Sequence, residues 1–418
     1  MKYRTIKSIK LDKFVHGGQC IAEHQGKKLF VWGGLPGETV DVLLTKKKSS
    51  YLEGIATSVE VASKDRIEPL EPESYISTSP WQVVEFKAEN SYKQQILEES
   101  FGREKISLEF SDFFSAGSEL GYRNKQEFGF WGDDDGLHLA HFRRGSHGKQ
   151  MIDGSALTNE FINQAARDVR DQLNKLSVWG GHLKTLMLRS SAKGDAVAAL
   201  FVKTETESLK DLKLPDSLQG LDVYYSNPQS PASVPTRKLY SLGDINLSDS
   251  INGINITYDV LSFFQVNLPV FDEALSDIKN HLGDGKSVDL YSGVGTIGIA
   301  VASDILVESD NTNIKMAEVN ASGSDIEVVH ATTETALQHI TGDRSVIVDP
   351  PRAGLHKDVV AAFLDAKPAK ILYLSCNPST QARDVAILSE SYDVKFARGY
   401  NFFPRTPHIE CLVVLELK

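Results

Sequence analysis

Along the first sixty residues, short apolar runs alternate with polar positions and are interrupted every few residues by glycine. Thr5–Lys10, Lys28–Trp32, Glu38–Leu44 and Leu52–Val59 have the period-two pattern of half-buried strands. Gly17-Gly18, Gly33-Gly34 and Pro36-Gly37 supply the turns. About five short strands punctuated in this way predict a small β-barrel of OB type over residues 1–62. Asp65–Ser79 is rich in Pro, Glu and Ser and reads as a linker. Helical spacing follows over 86–105 and, with a clear amphipathic stripe, over 156–176. The stretches 120–145 and 185–245 alternate strand-like runs with turns. Residues 63–250 therefore read as a central α+β domain, with the helical part near 86–110 free to pack on whatever follows.

From residue 251 the texture changes. Apolar runs at Ser287–Tyr291, Ile305–Val307, Ile326–Val329, Ser345–Val348, Lys370–Leu374 and Leu412–Leu415 are separated by helical patterns. That alternation predicts a C-terminal α/β domain, 251–418, built on a doubly wound parallel sheet.

Composition adds limits. A chain of 418 residues exceeds one ordinary core, in keeping with three units. No run approaches the roughly 18 apolar residues of a membrane span, and Met1-Lys2-Tyr3-Arg4 leads into a polar stretch without a signal core. The expectation is a cytoplasmic monomer without a membrane partner. Three cysteines, Cys20, Cys376 and Cys411, lie far apart and fit a reducing compartment better than a disulfide scaffold. The net charge of −11 speaks against nucleic acid, but it is unevenly spread. Residues 1–60 carry ten Lys/Arg against six Asp/Glu, a local +4. Lys46-Lys47-Lys48 is read as an exposed loop, either a solvated hairpin tip or an RNA contact. Arg123, Lys125, Arg143 and Arg144 form a second basic cluster beside aromatics, as RNA-binding strands do, although a plain charged sheet surface has the same composition.

Candidate chemistry sits at strand ends. Asp289-Leu-Tyr-Ser-Gly293-Val-Gly295-Thr296-Ile-Gly298 follows an apolar run and opens a helix; its glycines permit a tight turn and a close ligand. Glu308 ends the next strand, where a carboxylate can accept ribose hydroxyls. Asp289 ahead of the glycines suits the cationic end of S-adenosylmethionine better than a pyrophosphate. Asp349-Pro-Pro-Arg352 ends another strand and delivers a carboxylate to the carboxyl edge of the sheet. Cys376, past an apolar run and ahead of a helix, has the setting of a nucleophile, with a helix N-terminus and a cation favouring the thiolate. Glu410 opens the last strand and could serve as a general base; a solvated strand cap is the competing reading. Phe263-Phe-Gln265-Val-Asn267 has no role that local sequence assigns.

Taken in order, these pieces closely resemble the RNA uracil-5-methyltransferase family. The resemblance rests on Phe263–Asn267, Asp289–Gly295, Asp349–Arg352, Ser375-Cys376-Asn377-Pro378 and His408-Ile-Glu410, and extends upstream through Gly121–Lys125 and Arg143–Ser146. The N-terminal barrel resembles the TRAM domain of the ribosomal-RNA members. The resemblance implies a Rossmann-like S-adenosylmethionine-dependent methyltransferase domain acting on RNA, with 23S ribosomal RNA favoured and transfer RNA as the other candidate. It implies Cys376 as the nucleophile toward C6 of uracil, Glu410 as the base for the C5 proton, and Asp349 on the uracil edge or the cofactor. Gln265, Tyr291, Gly293, Gly295, Thr296, Glu308 and Asp349 would hold the cofactor. Arg352, Arg123, Lys125, Arg143, Arg144 and His408 would contact RNA. Two departures stand out. The stretches Ser77–Val84 and Asp153–Ser155 lack the cysteines that hold an iron–sulfur cluster in many members, so neither a cluster nor another metal is expected. Thr296 stands where the family often has asparagine.

Three other functions compete. An RNA cytosine-5-methyltransferase typically carries a second cysteine where this chain has Asp349-Pro-Pro. A non-catalytic RNA-binding factor has no need of the set Cys376, Glu410 and Asp349. An NAD-dependent dehydrogenase needs a hydride-transfer constellation that the sequence does not show.

Overall fold

The computed structural model describes residues 4–146 and 148–418; Met1–Tyr3, the start of the polar stretch read above, lie outside the described residues. The N-terminal unit is a six-stranded sheet of β1 (Thr5–Lys10), β2 (Lys13–Phe14), β3 (Cys20–His24), β4 (Lys27–Trp32), β5 (Thr39–Lys47) and β6 (Tyr51–Val61), ordered β1-β5-β6-β4-β3-β2. Alternate apolar residues, among them Leu29, Val31, Val40 and Val42, share one core with Trp81, Val83 and Val84. β2 and β3 escape a periodicity reading, because two residues carry no period and β3 alternates with a cysteine and an alanine. Lys46 and Lys47 do not sit in a loop: they extend β5, and Lys46 faces Glu53 of β6 at 2.8 Å.

The supposed linker is tied down. Glu38 is fully buried, and a buried carboxylate needs partners. Arg66 supplies them, donating from Nε and Nη2 at 2.6 and 2.7 Å, and its backbone pairs with Val84. A short helix, α1 (Tyr75–Thr78), follows. The two cysteine-free stretches of the family comparison lie close together. The Ala156 amide donates to Glu71, while Gln82 donates to both Glu71 and Ser79. Among the described residues no group of three or more His, Cys, Asp or Glu is placed to hold a metal. Among the same residues no helix is long and apolar enough to cross a membrane.

α2 (Phe86–Arg103) leads toward the central sheet of β7 (Lys125–Asp133), β8 (Gly136–Phe142), β9 (Lys149–Ile152), β10 (Leu183–Ser190), β11 (Ala196–Val202), β12 (Gly220–Tyr225) and β13 (Arg237–Gly243). Its order is β13-β12-β11-β10-β7-β8-β9, antiparallel except for β11 against β12. α3 (Glu160–Lys175) covers one face. Its Asn159 cap accepts the Ile162 amide, and Ile162, Ala165, Ala166, Val169 and Leu173 form the buried stripe that sequence periodicity marks. β11 reads AVAALFV and is buried on both faces. Ala198 and Leu200 point toward α3, whereas Val197, Ala199 and Phe201 enter a core shared with the C-terminal domain. A continuous apolar strand is what two covered faces require. The hairpin β14 (Asn246–Ile251) and β15 (Ile254–Asp259) belongs to that shared core, so residue 250 lies inside a hairpin.

The C-terminal domain contains α4 (Leu268–Leu282), β16 (Lys286–Leu290), α5 (Thr296–Ala300), β17 (Ile305–Glu308), α6 (Asn311–Ala321), β18 (Glu327–His330), β19 (Arg344–Val348), α7 (Lys357–Ala366), β20 (Lys370–Ser375), α8 (Pro378–Leu388), β21 (Tyr392–Tyr400) and β22 (Glu410–Leu417). The sheet runs β18-β17-β16-β19-β20-β22-β21. It is not wholly parallel: β22 is antiparallel to both β20 and β21, a correction to the sequence expectation. Periodicity marks where apolar strands lie but not their direction, and β21, mostly polar on one side, is missed altogether. The reversal has a chemical consequence. It puts the start of β22 beside the end of β20, with Ser375 opposite Cys411. α2 packs on the same side of this sheet as α7 and α8 through Leu97 and Phe101.

Candidate active site

A cavity of about 710 Å³ opens at the carboxyl ends of β16, β17, β19 and β20, where open α/β sheets bind ligands. The glycine loop forms one side. Tyr291 adopts φ of +63°, an uncommon left-handed conformation for a tyrosine, and Gly293 follows at +58°. The Gly293 amide donates to Glu308 Oε2 at 2.8 Å, while Oε1 accepts the Ser309 and Asp310 amides at 2.7 Å. These bonds fix the carboxylate on the cavity wall.

Asp289 does not line this cavity. It is buried behind the loop, where its Oδ2 accepts the Gly298 amide at 2.8 Å and Oδ1 has no partner. Burial pushes its carboxyl up to about 8. A Cβ on Gly298 would meet Leu306 at 2.2 Å and Asp289 at 2.9 Å, so this glycine serves packing. Gly295 and Thr296 start α5 behind the cavity and are not on its wall.

The motif Phe263–Asn267 acquires a role only in three dimensions. Phe264 stacks on Tyr258 with ring centroids 4.0 Å apart, and Asn267 donates to the Phe402 carbonyl at 3.1 Å. Asn124 of the central domain donates to the Gln265 carbonyl at 3.0 Å. Buried Arg189 donates to the Ser262 carbonyl at 2.9 Å. Held in this way, Gln265 points its amide at Asp349 (3.4 Å) and Phe263 lines the cavity.

On the opposite wall three neighbouring strands contribute Asp349, Cys376 and Glu410. The Asp349–Arg352 loop is tied to the start of α8, because Asn377 donates to the Arg352 carbonyl at 2.7 Å and Thr380 at 3.3 Å. Gln381 fixes the strands beneath, donating to the Tyr373 carbonyl at 2.8 Å and the Cys411 carbonyl at 3.0 Å. Burial, with the Glu410 and Asp349 carboxyls adding to it against Arg352, pushes the Cys376 thiol up to about 12. The sequence reading expected the opposite; the helix N-terminus and one arginine do not outweigh enclosure beside two acids. Burial also raises Glu410 well above the usual carboxylate range, and raises Asp349 to about 7. His408 is held down to about 3 by burial and by the cations around it, Arg352 first, so it is a neutral imidazole at physiological pH. Iodoacetamide should therefore modify Cys376 alone in the folded protein, since Cys20 and Cys411 are buried. Its rate should climb by about tenfold per pH unit from 7 to 10 as thiolate forms; peptide mapping of the alkylated protein reads both effects.

The loop between β21 and β22 carries Phe403 and His408 to this wall, and α2 clamps it. Glu89 and Lys93, both fully buried, pair at 2.8 Å. Lys93 donates to Asn401 at 2.6 Å and to the Phe403 carbonyl at 3.0 Å. Glu89 accepts the Arg405 amide (3.1 and 3.0 Å) and the Asn401 side chain at 3.0 Å. Arg405 itself sits at φ of +65°. Removing one member of a buried pair strands the other charge, so Glu89→Ala should cost about 3–5 kcal/mol; urea unfolding measures it.

A second cavity, of about 260 Å³, reaches Cys376 from the N-terminal side. His16, in the turn after β2, and Trp32 of β4 line it together with Arg352 and His408, and the Arg144 guanidinium lies 4.0 Å over the Trp32 ring. Of the proposed RNA contacts, Arg352, His408 and Arg144 thus surround Cys376. Arg123 and Lys125 line a neighbouring cavity, and Arg143 is exposed. Sequence reasoning missed Trp32, His16, Phe403 and Asn313, whose side chain lines the main cavity and accepts the Phe263 amide at 2.8 Å. The glycine and aromatic pattern of the N-terminal unit signals its strands, not that one strand's tryptophan reaches the catalytic edge.

Comparison with known proteins identifies the family and the fold. Residues 333–418 match the tRNA (Uracil-5-)-methyltransferase family and residues 4–57 the TRAM domain. A Bacteroides thetaiotaomicron protein named as an RNA methyltransferase is 30% identical over 455 residues, covering 96% of this chain and 99% of its own. One from Fusobacterium nucleatum is 27% identical, covering 100% and 97%. In structure, the Pyrococcus abyssi tRNA (uracil-54, C5)-methyltransferase in complex with S-adenosyl-L-homocysteine superimposes with a TM-score of 0.77 at 22% identity, over 98% of this chain and 100% of that one. Fold and relatives define an RNA methyltransferase. The chain belongs to the RNA uracil-5-methyltransferase family.

Proposed function

We propose that this enzyme uses S-adenosylmethionine to methylate C5 of a specific uridine, through a covalent bond between Cys376 and C6 of the base. The observation that carries this reading is the convergence of Asp349, Cys376 and Glu410 from three adjacent strands on one cavity that Glu308, Tyr291 and Gln265 also line, with the Gln265 amide against Asp349. Those last three residues suit the cofactor: a fixed carboxylate for ribose hydroxyls, an aromatic ring, and an amide beside Asp349. When bound, the cofactor supplies an electrophilic methyl group on a cationic sulfonium.

Cys376 thiolate adds to C6, and the electron pair of the C5–C6 double bond moves to C5, giving it enolate character. Once C5 carries the methyl group, Glu410 removes its proton. The C5–C6 double bond re-forms and the C6–sulfur bond breaks, releasing thiolate. Asp349 holds the uracil edge or the cofactor, and Arg352 offers a cation beside Cys376. A base within a folded RNA cannot present C6 to a thiolate, so the uridine is taken as flipped out.

The RNA we favour is 23S ribosomal RNA, from the likeness of the N-terminal unit to ribosomal-RNA members. Transfer RNA is the second reading. It is supported by the Pyrococcus abyssi enzyme, whose stated substrate is tRNA and which aligns over 98% of this chain. Mapping 5-methyluridine in both RNAs, from cells with and without the protein, separates them: the position lost identifies the substrate. No change in either would sink the proposal.

A further inference from the structure

We propose that the cavity where β7 and β8 part is a phosphate subsite for the RNA strand that delivers the target base. This rests on the functional reading above and adds a site to it.

The last paired residues of the two strands at this end are Gly129 and Ala140. Beyond them the chains separate around a cavity of about 490 Å³. Lys125 and Arg123 enter it from one side and His141 from the other, with the hydroxyl-bearing Ser77, Thr78 and Ser155 on the remaining wall. The backbone of Lys125 pairs with Arg189 of β10, but its half-buried side chain makes no hydrogen bond or ion pair among the described residues. Arg123 Nε and His141 Nε2 are fully buried and have no partner. Buried donors left unpaired are costly, and a cationic cluster that its own fold does not satisfy is built for an anion. One acid, Glu127, lies at the rim. Phosphate oxygens, which accept several charge-assisted hydrogen bonds at once, match this set.

Position identifies the source of the phosphate. The Arg123 guanidinium carbon is 6.0 Å from the Phe403 ring centre, and Phe403 lines the catalytic cavity. Thr78 lines both the phosphate cavity and the one beside Cys376. A strand with its target base at Cys376 passes this point.

Protonation gives the site a signature. Burial, and Arg189 on β10, bring the Lys125 ammonium down to about 7, against the pull of Asp259 on β15 and Glu127 on β7. His141 is held to about 4 by burial and Arg123, so it stays neutral. A bound phosphate keeps Lys125 charged, so binding takes up a proton and affinity falls as pH rises through about 7.

The test measures binding of a short uridine-rich oligoribonucleotide to the full chain against salt and pH, with inorganic phosphate as a separate probe. Lys125→Met should weaken RNA binding about tenfold and flatten the log–log salt dependence by about 0.7, the contribution of one single-strand phosphate. Lys125→Arg should keep that slope and lose the decline between pH 6 and 9. Methionine is apolar and of similar length, so the enclosed position accepts it, and the arginine variant provides an independent reading. If wild type methylates RNA while Lys125→Met binds with unchanged affinity and slope, the subsite is wrong and the functional reading survives. If Lys125→Met weakens binding of inorganic phosphate but not of RNA, the cavity takes free phosphate and the proposal fails. A wild-type protein that transfers no methyl group to any RNA overturns the underlying reading instead.

Discussion

Cys376→Ala should abolish methyl transfer to RNA, by on the order of 10⁴-fold or more in kcat, while cofactor binding stays near its wild-type strength. The reason lies in the position of the sulfur. Cys376 sits on the wall opposite Tyr291, Gly293 and Glu308, so truncating it removes no group that holds a nucleoside. Alanine at a half-buried loop position leaves the strands and α8 intact, because Gln381 and Asn377 fix them. Transfer of labelled methyl groups to RNA, alongside calorimetric binding of S-adenosyl-L-homocysteine, reads the two effects separately. Full activity in the alanine variant would eliminate the covalent route.

Glu410→Gln should have a different phenotype: turnover lower by about 10²–10⁴-fold, with an RNA–protein adduct that survives denaturing electrophoresis. Glutamine keeps the shape but accepts no proton, so reaction stops after methyl transfer, when C5 still holds its hydrogen and C6 its sulfur. Burial holds the Glu410 carboxyl well above the ordinary range, which strengthens it as a base once ionised. Active Glu410→Gln without adduct would assign the proton to another group, and Asp349, the neighbouring carboxyl on that wall, would be tested next in the same assay.

Much of the cleft is legible in the chain because its chemistry sits where apolar runs stop. Asp349, Cys376 and Glu308 each lie at or just past a strand end, and period-two burial makes strand ends visible. Glu410 was read as opening a strand, and it does; the strand's reversed direction, which sets it beside Cys376, was not readable. Asp289 is buried off the cavity wall, a placement that strand-end position alone does not encode, because it cannot distinguish a carboxylate in front of a glycine loop from one behind it. Glu89 and Lys93, four apart on a helix, have the spacing of a solvated ion pair, yet both are buried under the loop that carries His408. α2 thus shows no apolar stripe along its charged half.

What the sequence determined by itself is local and periodic: strand positions in the N-terminal and C-terminal units, the stripe of α3, the left-handed glycine turn, and the placing of Asp349, Cys376 and Glu410 at strand ends. Backbone sterics and side-chain alternation act over a few residues, so they can be read from a few residues. Only the tertiary structure decided the direction of β22, the clamp of α2 on the 401–409 loop, the meeting of Trp32 and Arg144 beside Cys376, and the protonation of Cys376. Each depends on which groups from distant parts of the chain share one low-dielectric space, where charge and desolvation outweigh any local preference.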